Sequence, residues 1–323
     1  MPVTRFAIIL LVITSAWFAT RSADAQERPT FRQTLQARQR ETVKVVADYI
    51  ASHPEGDDAD EARTWVFETV IAGGFEQEAL SVARSCLERP QVDPALRTLA
   101  LQVVCVGAAR QGDLVAAQTV YAQYVRGFRV QSPFKALDVA SVLAARAQLA
   151  GDRETIRGIY DAFSSQFALN SQATEIVENR LARMDLLGKP APAIQTTDLE
   201  GQAASLTDFA GKVVLVDFWA TNCAPCIAEF PNLRRLYRQH QGAGFEILGV
   251  SFDDSPQSVA SFAKQQQLPW RQVMNPGGRG GIADKFQTRT IPALFLVNRK
   301  GEIAFVDVRG DELREAVEKL LKE

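Results

Sequence analysis

The first part of the chain carries apolar residues at the spacing of α-helices. Between residues 27 and 183 they recur three or four positions apart, as in Val43, Val46 and Ile50, and strand-type alternation is missing. Runs of this kind are typical of helices that bury one face. The pattern therefore predicts an all-helical segment.

Three glycines in this segment, Gly73, Gly112 and Gly151, are spaced 39 residues apart. An aspartate follows two of these glycines, in Gly112-Asp113 and Gly151-Asp152. A glycine is typical of a helix end, and an aspartate after it is typical of the N-cap of the next helix. A period of this length favours stacked helix pairs of the tetratricopeptide or HEAT type over a plain helical bundle. We therefore predict a helical-repeat domain.

The pattern changes at residues 187–192, where a glycine and two prolines interrupt the helical spacing. Beyond this point strands and helices are expected to alternate. The predicted elements are a hairpin of strands at 193–197 and 203–206, a strand at 212–220, a helix at 223–239, a strand at 245–252, helices at 256–267 and 281–286, a hairpin of strands at 293–297 and 302–308, and a helix at 311–321. This order predicts an α/β domain whose mixed central sheet has helices on both faces.

The N-terminus has the three parts of a secretory signal: Arg5, an apolar run at residues 6–19, and Ala23-Asp24-Ala25 as a cleavage site. The alternative is an uncleaved anchor, but the run has 14 residues and a spanning helix needs about 20. We expect cleavage after Ala25 and a periplasmic or otherwise extracytoplasmic protein.

Length and charge add two limits. The chain has 323 residues, enough for two domains, and we divide it into a signal peptide at 1–25, an α-helical repeat domain at 26–183 and an α/β domain at 184–323. Its 36 basic and 38 acidic residues leave a net charge of −2. That balance argues against nucleic acid as a partner.

The chemistry centres on Cys223-Ala224-Pro225-Cys226, which follows an apolar strand and opens a helix. A Cys-x-x-Cys pair at such a junction is typical of thiol–disulfide exchange. Helix N-termini stabilise thiolates, so Cys223 is the expected nucleophile and Cys226 the resolving thiol. The alternatives are an inert disulfide and a zinc site. Zinc needs four ligands, and only two histidines accompany the cysteines, so no metal is expected.

Two carboxylates lie near this pair. Asp217 interrupts an apolar strand that should be buried on both faces, and burial should raise its pKa. We expect it to accept the Cys226 proton, with a structural acid as the alternative. Glu229 lies one helical turn beyond Cys226 and is either a second tuning acid or a solvated charge.

A late proline, Pro292, opens an apolar strand at residues 293–297. A trans bond is the usual state of such a proline. Beside a Cys-x-x-Cys pair, a cis Ile291–Pro292 bond becomes the expectation. It would leave the Ile291 backbone free to pair with a substrate main chain.

Several segments together resemble the TlpA/ResA-like group of the thioredoxin superfamily over residues 187–323. They are Gly188-Lys189-Pro190-Ala191-Pro192, the segment at 211–221, Cys223-Ala224-Pro225-Cys226, Glu229-Phe230-Pro231 and Thr290-Ile291-Pro292. The resemblance implies a thioredoxin fold, a cis Pro292 and the cysteine roles above. It also matches Asp217 to the buried acid of thioredoxin and Glu229 to an acid of ResA-like members.

The substrate is expected to meet Trp219, Asn222, Pro225, Ile291 and Pro292. Family members usually carry Trp where this chain has Asn222, so an apolar contact surface is lost and the substrate preference is open. We predict a protein-disulfide reductase with protein disulfides as substrates, an upstream thiol reductant of unknown identity, and no cofactor.

Two other functions stay open. One is an oxidase or isomerase that uses the same residues. The other is a scaffold whose helical repeats hold a protein partner.

Two further sequence features are not expected to take part in the reaction. Cys86 and Cys105 are expected to be separate core thiols. Their predicted offset along neighbouring helices is more than about 10 Å, whereas a disulfide needs Cα atoms within about 7 Å. The glycine-rich stretch at 276–281 lacks the Gly-Lys-Ser/Thr of a phosphate loop and follows no clear strand, so a plain loop is expected.

Overall fold

The computed structural model describes residues 31–129, 132–275 and 281–323. The signal segment at 1–25 and most of the glycine-rich stretch lie outside the described residues. The N-terminal part is helical, as expected. Its helices are α1 Phe31–Ser52, α2 Ala59–Gly73, α3 Leu80–Glu88, α4 Pro94–Arg110, α5 Leu114–Tyr124, α6 Phe134–Ala150, α7 Arg153–Phe167 and α8 Ser171–Met184.

The C-terminal part is a five-stranded mixed sheet flanked by helices, with a small hairpin beside it. The elements are β1 Gln195–Thr197, β2 Ala203–Ser205, β3 Val213–Trp219, α9 Ala224–His240, β4 Phe245–Ser251, α10 Pro256–Gln265, β5 Arg271–Met274, α11 Ile282–Lys285, β6 Ala293–Val297, β7 Ile303–Val306 and α12 Gly310–Leu321. The strand order is β5-β4-β3-β6-β7. Strands β3, β4 and β5 run parallel, while β6 and β7 pair antiparallel. The thioredoxin-like fold is confirmed.

Strand β5 was missed by the sequence pattern, and the expectation that no strand precedes the glycine-rich stretch was wrong. The strand has four residues, and the first two, Arg271 and Gln272, are polar, which leaves no apolar pattern of useful length. It forms because its backbone pairs with the edge of β4, from Leu248 opposite Arg271 to Ser251 opposite Met274. Neighbour pairing, which local periodicity does not encode, decides this strand.

The helix ends in the N-terminal part follow the expected chemistry. Gly112 and Gly151 both have left-handed backbones, with φ of 86° and 75°. The side chains of Asp113 and Asp152 then cap α5 and α7 by accepting from backbone amides at 3.1 Å and 2.9 Å. At the end of α2 the left-handed residue is Gly74 instead of Gly73. The spacing of the caps is therefore not uniform, and the helical repeat stays a prediction.

The apolar core is continuous between the two parts of the chain. Residues Val214, Val216 and Phe218, on one face of β3, lie in the same cluster of buried side chains as Tyr121 and Phe163 of the helical part. The opposite face of β3 packs with α9 and α12. The helical part thus takes the place of a helix layer over one face of the sheet.

Buried polar contacts accompany this shared core. The Nε and Nη2 atoms of Arg183 in α8 donate to Asp307 Oδ2 at 2.9 Å and 2.6 Å. The side-chain amide of Gln148 in α6 pairs with both backbone groups of Val306, at 2.9 Å and 2.8 Å, and so covers the edge of β7. Burial opposes ionisation of Asp307, but nearby arginines outweigh it and lower the pKa of this carboxyl.

We expect Arg183→Met to lower the free energy of unfolding by about 3 kcal/mol, because it leaves the buried Asp307 carboxylate with only weaker partners. Urea unfolding at pH 7 measures the change. The exposed Arg157 on α7 offers a matched control, and Arg157→Met is expected to change the value by less than about 0.5 kcal/mol. Equal stabilities of the two variants would contradict the conclusion that the buried Arg183–Asp307 pair stabilises the fold.

Candidate functional site

The two cysteines lie where β3 passes into α9. Cys223 is the N-cap of α9, and its Sγ accepts from the Cys226 backbone amide at 3.3 Å. A disulfide of 2.01 Å joins the two sulfurs. Cys223 is 8% exposed and Cys226 3% exposed, so Cys223 is the more exposed residue of the pair. Free amides and the helix dipole at this position stabilise a thiolate once the disulfide is reduced.

The turn before Cys223 is fixed by an aspartate after β4. Asp253 accepts from the Thr221 backbone amide at 2.9 Å and from the Thr221 hydroxyl at 2.6 Å. Ser251 donates to the same carboxylate at 2.7 Å. Burial works against ionisation, but these hydrogen bonds lower the pKa of Asp253. Asp253 was not among the predicted site residues, although its place two residues after a buried parallel strand is a usable signal.

Among the expected substrate contacts, Trp219 needs a correction. Its side chain is fully buried, packs edge-on against Phe230 at 5.3 Å between ring centroids, and donates from Nε1 to Gln272 Oε1 at 3.0 Å. It therefore supports the site from below instead of meeting a substrate. Asn222 and Pro225 are exposed beside the disulfide.

Asp217 is buried in β3, 3% exposed. Alternation along the strand puts it on the same face as Leu215 and Trp219, which pack with Cys226 under α9. Within the described residues its carboxyl group has no hydrogen-bond partner. Burial raises the pKa of Asp217 to about 7, and the nearby Arg309 partly offsets that rise while Glu229 adds to it.

Glu229 has partners that Asp217 lacks. Its Oε1 accepts from Asn232 Nδ2 at 2.6 Å and from the Gly310 backbone amide at 3.2 Å. Glu229 therefore ties α9 to the first residue of α12. The two carboxylates lie in different environments, one paired and one unpaired.

The Ile291–Pro292 peptide bond is cis, as the resemblance implied. Both residues are half-buried just before β6. Neither backbone group of Ile291 makes a hydrogen bond within the described part of the chain. Arg309 Nη2 donates to the Pro292 carbonyl at 2.9 Å. An unpaired backbone beside a cysteine pair can accept a peptide strand.

Other cysteines take no part in this arrangement. Cys86 and Cys105 are free and buried, which confirms that they are separate core thiols. The described residues contain no group of three or more His, Cys, Asp or Glu placed to hold a metal ion. None of the described helices combines the length and the apolar character needed to cross a membrane.

Comparison with known proteins agrees with this geometry. Residues 187–306 match the AhpC/TSA family. Thiol-disulfide oxidoreductase ResA of Bacillus thuringiensis subsp. konkukian is 34% identical over 136 residues, which cover 42% of this chain and 77% of that protein. ResA of Geobacillus kaustophilus is 31% identical over the same length and covers 42% and 76%.

Among solved structures, the thioredoxin domain of a thiol-disulfide oxidoreductase from Bacteroides vulgatus is 35% identical, with a TM-score of 0.40. The alignment covers 42% of this chain and 97% of that domain. The ResA relatives match at more than 30% identity over three quarters of their own length. This chain is a thiol-disulfide oxidoreductase and belongs to the ResA family.

Proposed function

We propose that the protein reduces disulfides in protein substrates outside the cytoplasm and that Cys223 and Cys226 are its redox pair. The observation that carries the proposal is the pair itself, at the N-terminus of α9, with Cys223 as the N-cap and the more exposed residue. The cis Pro292 and the unpaired Ile291 backbone add a place for the substrate main chain.

The reaction starts from the reduced pair. The Cys223 thiolate attacks one sulfur of a substrate disulfide, so that a mixed disulfide forms and the other substrate sulfur leaves as a thiolate, which takes up a proton. Cys226 then gives up its proton and attacks Cys223 Sγ. The Cys223–Cys226 disulfide forms, the substrate is released as a dithiol, and two electrons have passed to it.

Asp217 is the proposed proton acceptor for Cys226. It shares the α9 face of β3, its pKa of about 7 suits proton transfer near neutral pH, and its oxygens are unpaired within the described residues. Glu229 is committed to Asn232 and Gly310, so we assign it the joining of α9 to α12.

The substrate is proposed to bind along Ile291 and Pro292, with Asn222 and Pro225 at the rim. The Ile291 amide and carbonyl would pair with the substrate backbone in the manner of strand addition. Such pairing ignores side-chain identity and suits a protein that acts on several disulfides. The N-terminal helices could hold a further protein partner, as the repeat prediction implies.

The direction of exchange is tested by the reduction potential of the Cys223–Cys226 couple, measured against glutathione or dithiothreitol. A reductase is expected to lie near about −270 mV, as thioredoxin does. A value near about −120 mV would instead favour an oxidase. Turnover as a reductase also requires an upstream dithiol that reopens the disulfide.

Localisation is a proposal from residues 1–25 alone. Expression of the full chain with its own N-terminus is expected to yield an extracytoplasmic protein that begins at Gln26. N-terminal sequencing measures the start. An intact Met1 on a cytoplasmic product would contradict export.

A further inference from the structure

We propose that Asn179, in helix α8 of the N-terminal part, is a positioning residue of the redox site. It holds the segment at residues 289–292, here called the cis-proline loop, in the conformation that receives a substrate main chain. The inference rests on the proposed function of Ile291 in that segment. It assigns the helical part a direct share in substrate binding by the C-terminal part.

The contact consists of one oxygen and several donors. Asn179 Oδ1 accepts from the Arg289 backbone amide at 3.0 Å, from the Thr290 backbone amide at 3.2 Å and from the Thr290 hydroxyl at 3.3 Å. Arg183 Nη1 donates to the same oxygen at 2.6 Å. Because amides and a guanidinium can only donate, the side-chain oxygen, and not the nitrogen, must face the loop.

The side chain is well placed to fix the loop. Asn179 is 5% exposed, and within the described residues the Arg289 and Thr290 amides have no other hydrogen-bond partner. These two amides lie directly before Ile291. Removing the oxygen would leave them unpaired and free the backbone that leads into the cis bond.

The orientation of Asn179 is itself fixed by the C-terminal part. Arg183 is held by Asp307, whose other oxygen accepts from the Leu294 amide of β6 at 3.1 Å. Arg309, two residues after Asp307, donates to the Pro292 carbonyl. The cis-proline loop is therefore secured before Ile291 by Asn179 and after it by Arg309.

A substrate that pairs with the loop backbone depends on this arrangement, whereas a disulfide without peptide groups does not. The two substrates are a disulfide-bonded peptide of about ten residues and bis(2-hydroxyethyl) disulfide. The full chain, reduced beforehand, is mixed with each, and the rate of Cys223–Cys226 oxidation is measured. We expect Asn179→Ala to lower the peptide rate by about tenfold or more and to leave the small-disulfide rate unchanged.

Asn179→Asp keeps an acceptor oxygen at the same place and is expected to retain the wild-type ratio of the two rates. Asn179→Ser, whose hydroxyl is too short to reach the loop, should lower the ratio like alanine and serves if the alanine variant does not fold. Gln148→Ala is the matched control. It removes two buried hydrogen bonds between the same two parts, at Val306 instead of the loop, and should keep the wild-type ratio.

An unchanged ratio in folded Asn179→Ala and Asn179→Ser proteins would overturn the proposal. An equal fall of the ratio in Gln148→Ala would also overturn it, since the effect would then belong to the joint between the parts in general. Failure of the wild-type protein to react with either disulfide would instead refute the proposed function on which the inference rests.

Discussion

Cys223→Ser protein is expected to lose thiol–disulfide exchange altogether, by on the order of 10⁴-fold or more relative to wild type. Cys223 caps α9 and is the more exposed residue of the pair, so we expect it to be the thiol that a substrate disulfide meets first. A serine hydroxyl at the same place has no accessible anion near neutral pH and forms no disulfide. The rate of reduction of a protein disulfide by the full chain with excess dithiothreitol measures the loss.

The chain supplies matched controls for this change. Cys86 and Cys105 are free, buried thiols in the helical part, and Cys105→Ser and Cys86→Ser should keep the wild-type rate. Burial also raises the pKa of both thiols, which keeps them protonated and unreactive. A Cys223→Ser protein that retains a tenth of the wild-type rate would exclude Cys223 as the nucleophile.

Asp217→Asn is expected to make the protein more stable at neutral pH and to slow the release of substrate from the mixed disulfide. Burial raises the folded-state pKa of Asp217 from 3.8 to about 7. Between these values the folded state binds the proton and the unfolded state does not, so the stability contributed by this group is full below pH 4 and is lost as pH rises through 7. The loss amounts to about 4 kcal/mol.

The isosteric amide of asparagine cannot ionise, so the variant does not lose this stability as the pH rises. Urea unfolding should therefore give equal stabilities for wild type and Asp217→Asn near pH 4 and a variant more stable by about 4 kcal/mol at pH 8. Glu76 in the helical part also has its pKa raised to about 7 by burial, but it is common to both proteins and cancels in the difference. A difference that does not depend on pH would contradict the raised pKa.

The same substitution removes the proposed proton acceptor. We expect release of substrate from the mixed disulfide to slow by about 10²-fold or more at pH 7, while attack by Cys223 is little changed. Glu229→Gln is the comparison, because glutamine can still accept from Gly310 and Asn232, and it should slow release by less than about threefold. A larger effect of Glu229→Gln than of Asp217→Asn would reverse the two roles.

Most of the C-terminal fold could be predicted from local sequence patterns. The apolar run at β3, the cap at Cys223 and the hairpin of β6 and β7 were predictable, because each depends on burial periodicity or on the chemistry of a few consecutive residues. The buried Asp217 was predictable for the same reason, as a charge within an apolar strand. The cis Pro292 needed the Cys-x-x-Cys pair and the family resemblance as context, since an Ile-Pro sequence by itself favours a trans bond.

The remaining features depend on contacts between distant residues. Asn179 meets Thr290 across 111 positions and Arg183 meets Asp307 across 124, and no local pattern marks either pair. Asp307 could have been noticed in the sequence, because, like Asp217, it is an acid next to apolar strand residues. Arg309 could be found only from the fold, which brings it to the Pro292 carbonyl.

The proposed function requires that the two sulfurs exchange their bond with a protein disulfide. Cys226→Ser protein, incubated with an oxidised protein substrate, tests it by mass spectrometry of the intact adduct and of its peptides. We expect a stable one-to-one adduct in which Cys223 is joined to a substrate cysteine, released by dithiothreitol. Absence of any adduct, or an adduct through Cys86 or Cys105, would contradict this exchange.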